Sequence, residues 1–275
     1  MTLTRREVTE LLAAHGLSPR RALGQNFVVD PNTVRRIARM AAVGPGDRVV
    51  EIGAGLGSLT LALADTGASV TALEVDAGLV PVLRSIVEPR GVRVVEGDAL
   101  VVDWRALLGA GQWVLVANLP YNVATPLIVR LLEEVPAVTR MLVMVQAEVG
   151  ERLAAEPGVK LYGAVSAVVG WWAAARVVGR VPPTVFVPRP NVDSALVSVE
   201  RRPPPSVDVG YDRYKEVVRA GFAHRRKMLR TSLAGVVDAA AFAAAGVAPT
   251  ARAEELDVAR WGRLAAWTPS SPTRN

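Results

Sequence analysis

Short apolar runs alternate with amphipathic stretches between residues 48 and 146, and this alternation constrains the fold more than any other feature. The first run, Arg48–Ile52, leads into the glycine-rich turn Gly53-Ala54-Gly55-Leu56-Gly57, after which leucines recur at helical spacing. A strand, a glycine-rich turn and a helix form the first unit of a parallel sheet flanked by helices. Further strands are predicted at 68–74, 92–96, 113–117 and 140–146. We therefore predict an α/β fold with a doubly wound, Rossmann-like sheet.

The segments on either side of this core predict a chain of two domains. Residues 1–47 combine a helix at 4–15, a basic turn-rich segment and a second helix after Asp30. Beyond the core, 164–169 is helix or strand, 175–181 is a strand, 182–190 is a stiff proline-rich loop, and 195–201 is an antiparallel strand at the far edge of the sheet. Pro203-Pro204-Pro205 is the clearest linker. We predict a first domain at 1–202 and a small helical domain at 206–275.

The helical domain is predicted from four amphipathic stretches that follow the linker. They lie at 211–222, 225–233, 239–245 and 253–267.

Acidic residues recur where the first three predicted strands end. Glu51 precedes the glycine-rich turn, Glu74 ends the second strand, and Asp98 follows the third. A carboxylate at Glu74 can accept hydrogen bonds from ribose hydroxyls, and Asp98 can accept one from an adenine amine. The chain has no Gly-Lys-Ser/Thr phosphate-binding loop. These acids favour a cationic nucleoside such as S-adenosylmethionine over an anionic dinucleotide.

The stretch Asn118-Leu119-Pro120-Tyr121 follows the fourth strand and offers a second kind of chemistry. Asn118 can accept and donate through its amide, Pro120 removes a backbone donor, and Tyr121 offers a flat ring. Such a group suits an exocyclic amine on a planar base. Asn and Pro are also common at strand ends, so these four residues alone are equally compatible with a simple turn.

Composition excludes several classes of protein. The chain has no Cys, and its two His residues lie far apart, which argues against a metal site. No uncharged run is long enough to span a bilayer, so a cytoplasmic protein is expected. The net charge of +6 comes from residues 201–275, with 13 basic and 7 acidic side chains, because residues 1–200 contain 19 of each. A clustered positive charge predicts a polyanionic partner.

Taken together, the motifs resemble those of the small-subunit ribosomal RNA adenine N6,N6-dimethyltransferase family, over nearly the whole chain. The matching stretches are Leu23–Phe27, Glu51–Gly57, Gly97–Leu100, Asn118–Tyr121, Pro188–Ser194 and Phe222–Arg230. Ala54 stands where the family usually has Pro, and Val28 where Leu is common; both changes keep the positions apolar.

The resemblance implies a class I methyltransferase that uses S-adenosylmethionine and has no metal. The residues implied to contact the methyl donor are Asn26, Val28, Gly53, Gly55, Glu74, Asp98 and Asn118. A target adenosine turned out of the RNA would stack on Tyr121, while Asn118 and the Pro120 carbonyl accept its amine hydrogens. Phe186 either stacks on the other face of the base or fills the core.

The same resemblance implies the substrate and the partner. The family dimethylates two adjacent adenosines near the 3′ end of small-subunit ribosomal RNA, within a partly assembled subunit, and we expect a monomer. We predict that a basic helix at 219–230 contacts RNA phosphates. Its cationic residues are Arg219, Arg225, Arg226, Lys227 and Arg230.

Three alternatives compete with this interpretation. The antibiotic-resistance class of large-subunit ribosomal RNA adenine methyltransferases shares the fold and the Asn-Leu/Ile-Pro-Tyr turn. Gly24 before Gln25-Asn26-Phe27 and the Phe222–Arg230 stretch favour the small-subunit class. A non-catalytic nucleic-acid-binding relative is disfavoured by the intact motifs. A DNA adenine methyltransferase would usually carry a larger target-recognition region.

Overall fold

A computed structural model describes residues 2–267 of the chain. It contains nine strands: β1 Phe27–Val28, β2 Arg48–Ile52, β3 Ser69–Glu74, β4 Arg93–Glu96, β5 Trp113–Asn118, β6 Val138–Gln146, β7 Ala173–Val181, β8 Phe186–Val187 and β9 Ser194–Arg201. Its α-helices up to β7 are α1 Arg5–Ala14, α2 Pro31–Met40, α3 Ser58–Ala64, α4 Val80–Val87, α5 Trp104–Leu108, α6 Ala124–Glu134, α7 Ala147–Leu153 and α8 Ala164–Trp172. The helices after β9 are α9 Tyr211–Ala223, α10 Leu229–Ser232, α11 Ala239–Ala245 and α12 Val258–Ala266.

The central sheet has seven strands in the order β4-β3-β2-β5-β6-β9-β7. Strands β4, β3, β2, β5 and β6 run parallel, and β9 pairs antiparallel with β6. The predicted doubly wound α/β sheet is therefore confirmed. Strand order reverses between β2 and β5, and in such sheets ligands bind at this switch point, outside the carboxyl ends of the strands.

One prediction about the sheet was wrong. Strand β9 was expected at the far edge, but β7 occupies the edge and β9 lies between β6 and β7. The residues of β9 are accordingly buried on most of its length, as expected for a strand with neighbours on both sides.

The structure also resolves two segments that the sequence left open or described as loop. The stretch 164–169 belongs to helix α8. The proline-rich loop contains the short strand β8, which pairs antiparallel with β1: Phe27 lies opposite Val187, and Val28 opposite Phe186.

Contacts divide the chain into two compact units. The first contains residues up to Gly150 together with Ala175–Arg201, and the second contains Glu151–Ala174 together with the chain from Arg202 onward. The chain passes from the first unit to the second after Arg201, just before Pro203-Pro204-Pro205. The second unit in addition includes Glu151–Ala174, which the sequence analysis had placed in the first domain.

The second unit has a core of aromatic side chains. The rings of Trp171 and Tyr214 lie 4.3 Å apart, and Trp261 is fully buried. A Cβ added at Gly221, in α9, would lie 2.3 Å from the Trp261 ring. Helix α9 can therefore pack this closely against Trp261 only because position 221 is glycine. The Tyr214 hydroxyl donates to the carbonyl of Ala167 at 2.9 Å, which satisfies its buried polar atom.

None of the helices within residues 2–267 is long and apolar enough to cross a membrane.

Candidate active site

The glycine-rich turn joins β2 to α3 in a backbone conformation that favours glycine. Gly53, Gly55 and Gly57 have φ angles of +71°, +61° and +88°. A Cβ at Gly55 would lie 3.0 Å from the Phe27 ring, and one at Gly57 would lie 2.7 Å from Val87. The turn therefore needs glycine both for its backbone angles and for its packing.

Glu74, at the end of β3, holds this turn in place. Its Oε2 accepts a hydrogen bond from the Gly55 amide at 2.7 Å, and its Oε1 accepts from the amides of Val75 and Asp76 at 3.0 and 2.9 Å. Burial raises the pKa of this carboxyl, and the three amides counteract that rise. A carboxylate has about four acceptor positions, so Oε2 keeps one for a ligand hydroxyl.

Glu51 is a second buried carboxyl close to the turn. It is 2% exposed, and its Oε2 has no hydrogen-bond partner in the part of the chain that the structure describes. Burial raises the pKa of Glu51 to about 8; the nearby Glu74 carboxylate adds to the rise and the Thr60 hydroxyl opposes it. A cation bound in the cleft would favour the ionised form of this carboxyl, whose spare oxygen could then face it.

These residues line a cleft of about 790 Å³ that is open to solvent. Six of the residues predicted to contact the methyl donor line this cleft: Asn26, Val28, Gly53, Gly55, Glu74 and Asn118. Asp98 lines a second cavity, which shares Leu23, Gly53, Val75 and Pro120 with the first. The structure thus brings every predicted cofactor residue to one edge of the sheet.

The Asn118 amide is held in a single orientation. Its Nδ2 donates to the backbone carbonyl of Asn26 at 2.9 Å. Because the donor side of the amide is used in this way, its oxygen remains available as an acceptor in the cleft.

The role predicted for the Pro120 carbonyl needs correction. That oxygen accepts hydrogen bonds from the amides of Val123 and Ala124, at 3.2 and 3.1 Å, and so uses both of its acceptor positions at the start of α6. The preceding carbonyl, of Leu119, accepts no hydrogen bond from residues 2–267, and Leu119 also lines the cleft. The available backbone acceptor is therefore one residue earlier than predicted.

Tyr121 also lines the cleft, and a hydrogen bond at its hydroxyl group fixes the ring. The Tyr121 and Ser194 hydroxyls are 2.8 Å apart, and Ser194 is fully buried at the start of β9. Burial raises the pKa of Tyr121, which keeps the phenol neutral.

Phe186, the other aromatic residue predicted at the site, is 1% exposed and belongs to the apolar core, so in this conformation it offers no face to a base. This burial is what the core alternative expects, and stacking of Phe186 on a base stays a prediction.

The basic segment of the second unit is not one continuous helix. Helix α9 ends at Ala223, and a turn at 224–228 precedes α10, so the helix predicted at 225–233 is wrong over its first half. Arg225 forms an ion pair with Glu254 at 3.0 Å and donates to the carbonyls of Lys160 and Tyr162. These bonds give Arg225 a structural role in this unit, but its side chain is also exposed, so its RNA contact stays a prediction. The other four predicted residues, Arg219, Arg226, Lys227 and Arg230, are exposed as well.

Sequence reasoning missed a hydrogen-bonded cluster beside the cleft. Asp76, 3% exposed, binds the side chains of Gln25 and Arg20. The only signal in the sequence was a second acid two residues after Glu74, which does not indicate a partner 51 residues away in the chain.

Comparison with known proteins gives concordant results. A family model described as "Ribosomal RNA adenine dimethylase" matches residues 16–269. Ribosomal RNA small subunit methyltransferase A from Cutibacterium acnes is 49% identical over 265 residues, covering 90% of this chain and 88% of that protein. The protein of the same name from Nocardia farcinica is 49% identical over 274 residues, covering 94% and 93%.

Two solved structures have the same fold. The 23S rRNA methyltransferase ErmE is 27% identical with a TM-score of 0.69, covering 87% of this chain and 98% of that one. A dimethyladenosine transferase from Plasmodium falciparum is 23% identical with a TM-score of 0.71, covering 86% and 94%.

Proposed function

Because this chain belongs to the ribosomal RNA adenine dimethylase family, we propose that it dimethylates N6 of two adjacent adenosines near the 3′ end of small-subunit ribosomal RNA, using S-adenosylmethionine. Relatives named small subunit methyltransferase A at 49% identity support this substrate. The large-subunit alternative has weaker support, since the 23S rRNA methyltransferase structure is 27% identical.

The cleft suits a cationic nucleoside. Glu74 retains one acceptor position for a ribose hydroxyl, and Asp98 lies in the adjoining cavity, where an adenine amine would find an acceptor. A cation bound beside the buried carboxyls of Glu51 and Glu74 would favour their ionised forms, whereas the phosphates of a dinucleotide would be repelled by them. When bound, S-adenosylmethionine supplies a methyl group on a positively charged sulfur.

The observation that carries the proposal is the fixed Asn118 amide. Its oxygen and the Leu119 carbonyl would accept the two hydrogens of the target amine, which draws the nitrogen lone pair out of conjugation with the ring. The Tyr121 ring, anchored by Ser194, would hold the flipped base. These groups act by position and electrostatics, and the mechanism assigns no general base.

The exposed basic residues of the second unit would bind RNA phosphates and so hold the substrate without reading its sequence. We further propose a partly assembled small subunit as substrate, a monomer as the active form, and the cytoplasm as the place of action. One chain supplies every residue assigned to the cleft, which is consistent with a monomer.

Replacement of Asn118 tests the catalytic assignment. Asn118→Ala should abolish transfer of tritiated methyl to undermethylated small subunits while the circular dichroism spectrum stays unchanged. Asn32→Ala, at an exposed position of α2, is the matched control and should remain active. Normal turnover by the Asn118→Ala variant would contradict the catalytic role assigned to Asn118.

The substrate is tested by offering undermethylated small subunits, large subunits and naked DNA to the wild-type protein. Labelling of small subunits alone is expected. Exclusive labelling of the large subunit would overturn the proposed substrate and favour the antibiotic-resistance class.

A further inference from the structure

One wall of the cleft is formed by a segment with little regular structure, residues 20–28, which we call the strap. Its residues from Leu23 to Val28 line the cleft. At its C-terminal end the strap is fixed by the pairing of β1 with β8. The middle of the strap has no such ladder, so its position must come from side-chain contacts.

The cluster formed by Arg20, Gln25 and Asp76, which we call the latch, provides those contacts. Asp76 Oδ2 accepts from Gln25 Nε2 at 2.8 Å, while Asp76 Oδ1 pairs with the Arg20 guanidinium at 3.1 Å and accepts from the Gly78 amide at 3.0 Å. Gln25 Oε1 in turn accepts from the Arg20 amide at 2.8 Å. Hydrogen bonds to a buried carboxylate are among the stronger ones in proteins.

The latch lies one residue away from the group that orients Asn118. Asn26 follows Gln25, and its carbonyl accepts the Asn118 Nδ2 hydrogen bond. The Asn26 side chain donates to the carbonyl of Gly24 at 3.0 Å and so stays within the strap. A displacement of Gln25 would therefore move the Asn26 carbonyl and release the Asn118 amide from its fixed orientation.

We propose that Gln25 and Asp76 are positioning residues for the methyl transfer: the latch sets the strap, and the strap sets the orientation of the Asn118 amide. This inference rests on the proposed function. Neither residue needs to touch the methyl donor or the base, because each acts through Asn26. The direction of the Gln25–Asp76 hydrogen bond, from amide to carboxylate, allows a direct test.

Two single substitutions break this bond and their combination restores it with the opposite direction. Asp76→Asn places an NH2 group against the NH2 group of Gln25, and Gln25→Glu places a carboxylate against that of Asp76. In the double variant the new amide at position 76 can donate to the new carboxylate at position 25, which can still accept from the Arg20 amide. The double variant also has the wild-type net charge.

At about pH 8, which disfavours a proton shared between two carboxyls, each single variant should lose about 10- to 100-fold in kcat, the usual effect of slightly misplaced catalytic groups. The KM for the subunit should stay within about threefold, because the RNA contacts are unchanged. The double variant should recover most of the lost kcat. Gln112→Glu adds the same negative charge as Gln25→Glu but at an exposed position, and it should keep the wild-type kcat.

A readout without methyl donor or RNA is hydrogen exchange of the strap, measured by mass spectrometry. Backbone amides of residues 20–28 should exchange faster in both single variants and at the wild-type rate in the double variant. If a single variant fails to fold, Gln25→Ala replaces it, since this change leaves Asp76 with Arg20 and Gly78.

Wild-type kcat in both single variants would overturn the proposal, and so would a double variant no better than the poorer single variant. Failure of the proposed function is distinguishable: the wild-type protein would then label none of the small subunits, while the exchange pattern of the strap would still report on the latch.

Discussion

At the scale of single residues, Glu51 shows how burial changes the chemistry of a side chain. Its side chain lines the cleft and is only 2% exposed. Burial raises its pKa from an ordinary value of 4.5 to about 8. The folded protein therefore holds a proton at neutral pH that the unfolded chain has already released. This difference links the stability of the ligand-free protein to pH.

The pH dependence of stability is the first prediction. Between about pH 5 and 8 the folded state binds up to one proton more than the unfolded state, so the Glu51 contribution to stability falls as pH rises, by at most about 1.4 kcal/mol per pH unit, and levels off above the folded pKa. Glu51→Gln cannot ionise and should lack this component. Urea unfolding of both proteins across this range measures the difference, and parallel curves would show that Glu51 is ionised in the fold.

The Tyr121–Ser194 hydrogen bond gives the second prediction. Tyr121→Phe and Ser194→Ala remove the same bond, so each should lower kcat/KM by about 10-fold, the usual worth of one hydrogen bond, and the double variant should be no worse than either single variant. The methyl-donor affinity, measured by calorimetry, should not change. Additive losses in kcat/KM would mean that the two hydroxyls act separately.

At the scale of elements, two adjacent arginines after α9 differ in what they hold together. Arg225 joins the turn after α9 to the carbonyls of Lys160 and Tyr162 and to Glu254. Arg226 is exposed. The pair therefore provides a comparison in which the side-chain chemistry is identical and only the contacts differ.

We predict that Arg225→Ala lowers the free energy of unfolding of the second unit by about 1 to 2 kcal/mol, since it removes several charged hydrogen bonds. Arg226→Ala should change it by less than about 0.5 kcal/mol. Urea unfolding followed by tryptophan fluorescence measures both when Trp104 and Trp113 of the first unit are changed to Phe, because Trp171 and Trp261 then report on the second unit. Equal losses of stability in the two variants would contradict the structural role of Arg225.

The elements that could be predicted from sequence are those whose signal lies within their own residues. Strands β2 to β6 and helices α3, α4 and α6 follow from local apolar patterns, and the parallel sheet follows from their alternation. The five-residue helix α5 was not predicted. Strand β8 has two residues and exists only through its pairing with β1, so no periodicity could indicate it. The position of β9 inside the sheet depends on where the chain returns, which a strand pattern does not encode.

The candidate site divides in the same way. Asn118, Glu74 and the glycines follow from motifs that are contiguous in sequence. The use of the Pro120 carbonyl by α6, the burial of Phe186, the ion pair of Arg225 and the latch each depend on partners brought together by the fold. The helix predicted at 225–233 failed because good helix-forming residues were overridden by these tertiary contacts.

At the scale of the whole molecule, the charge distribution separates two tasks. Residues 1–200 are neutral and contain the cleft, while the net charge of +6 resides in 201–275. Proteins that neutralise RNA phosphates release counterions, so their affinity falls with salt in proportion to the number of phosphates contacted. The proposed RNA contacts of the second unit therefore have a measurable signature that does not depend on catalysis.

The last prediction concerns that salt dependence. Changing Arg226, Lys227 and Arg230 together to Gln should reduce the slope of log affinity against log salt by about 2 to 3, that is about 0.7 to 0.9 for each phosphate that is no longer neutralised. Fluorescence anisotropy with an RNA hairpin containing the adenosine pair, from about 50 to 200 mM salt, gives the slope. Arg84→Gln with Arg130→Gln is the control: these arginines pair with Glu88 and Glu134 on α4 and α6, so positive charge is removed there without a predicted RNA contact. The control should keep the wild-type slope. If both sets of variants reduce it in proportion to the charge removed, net charge alone attracts the RNA, and the basic segment after α9 is not its binding site.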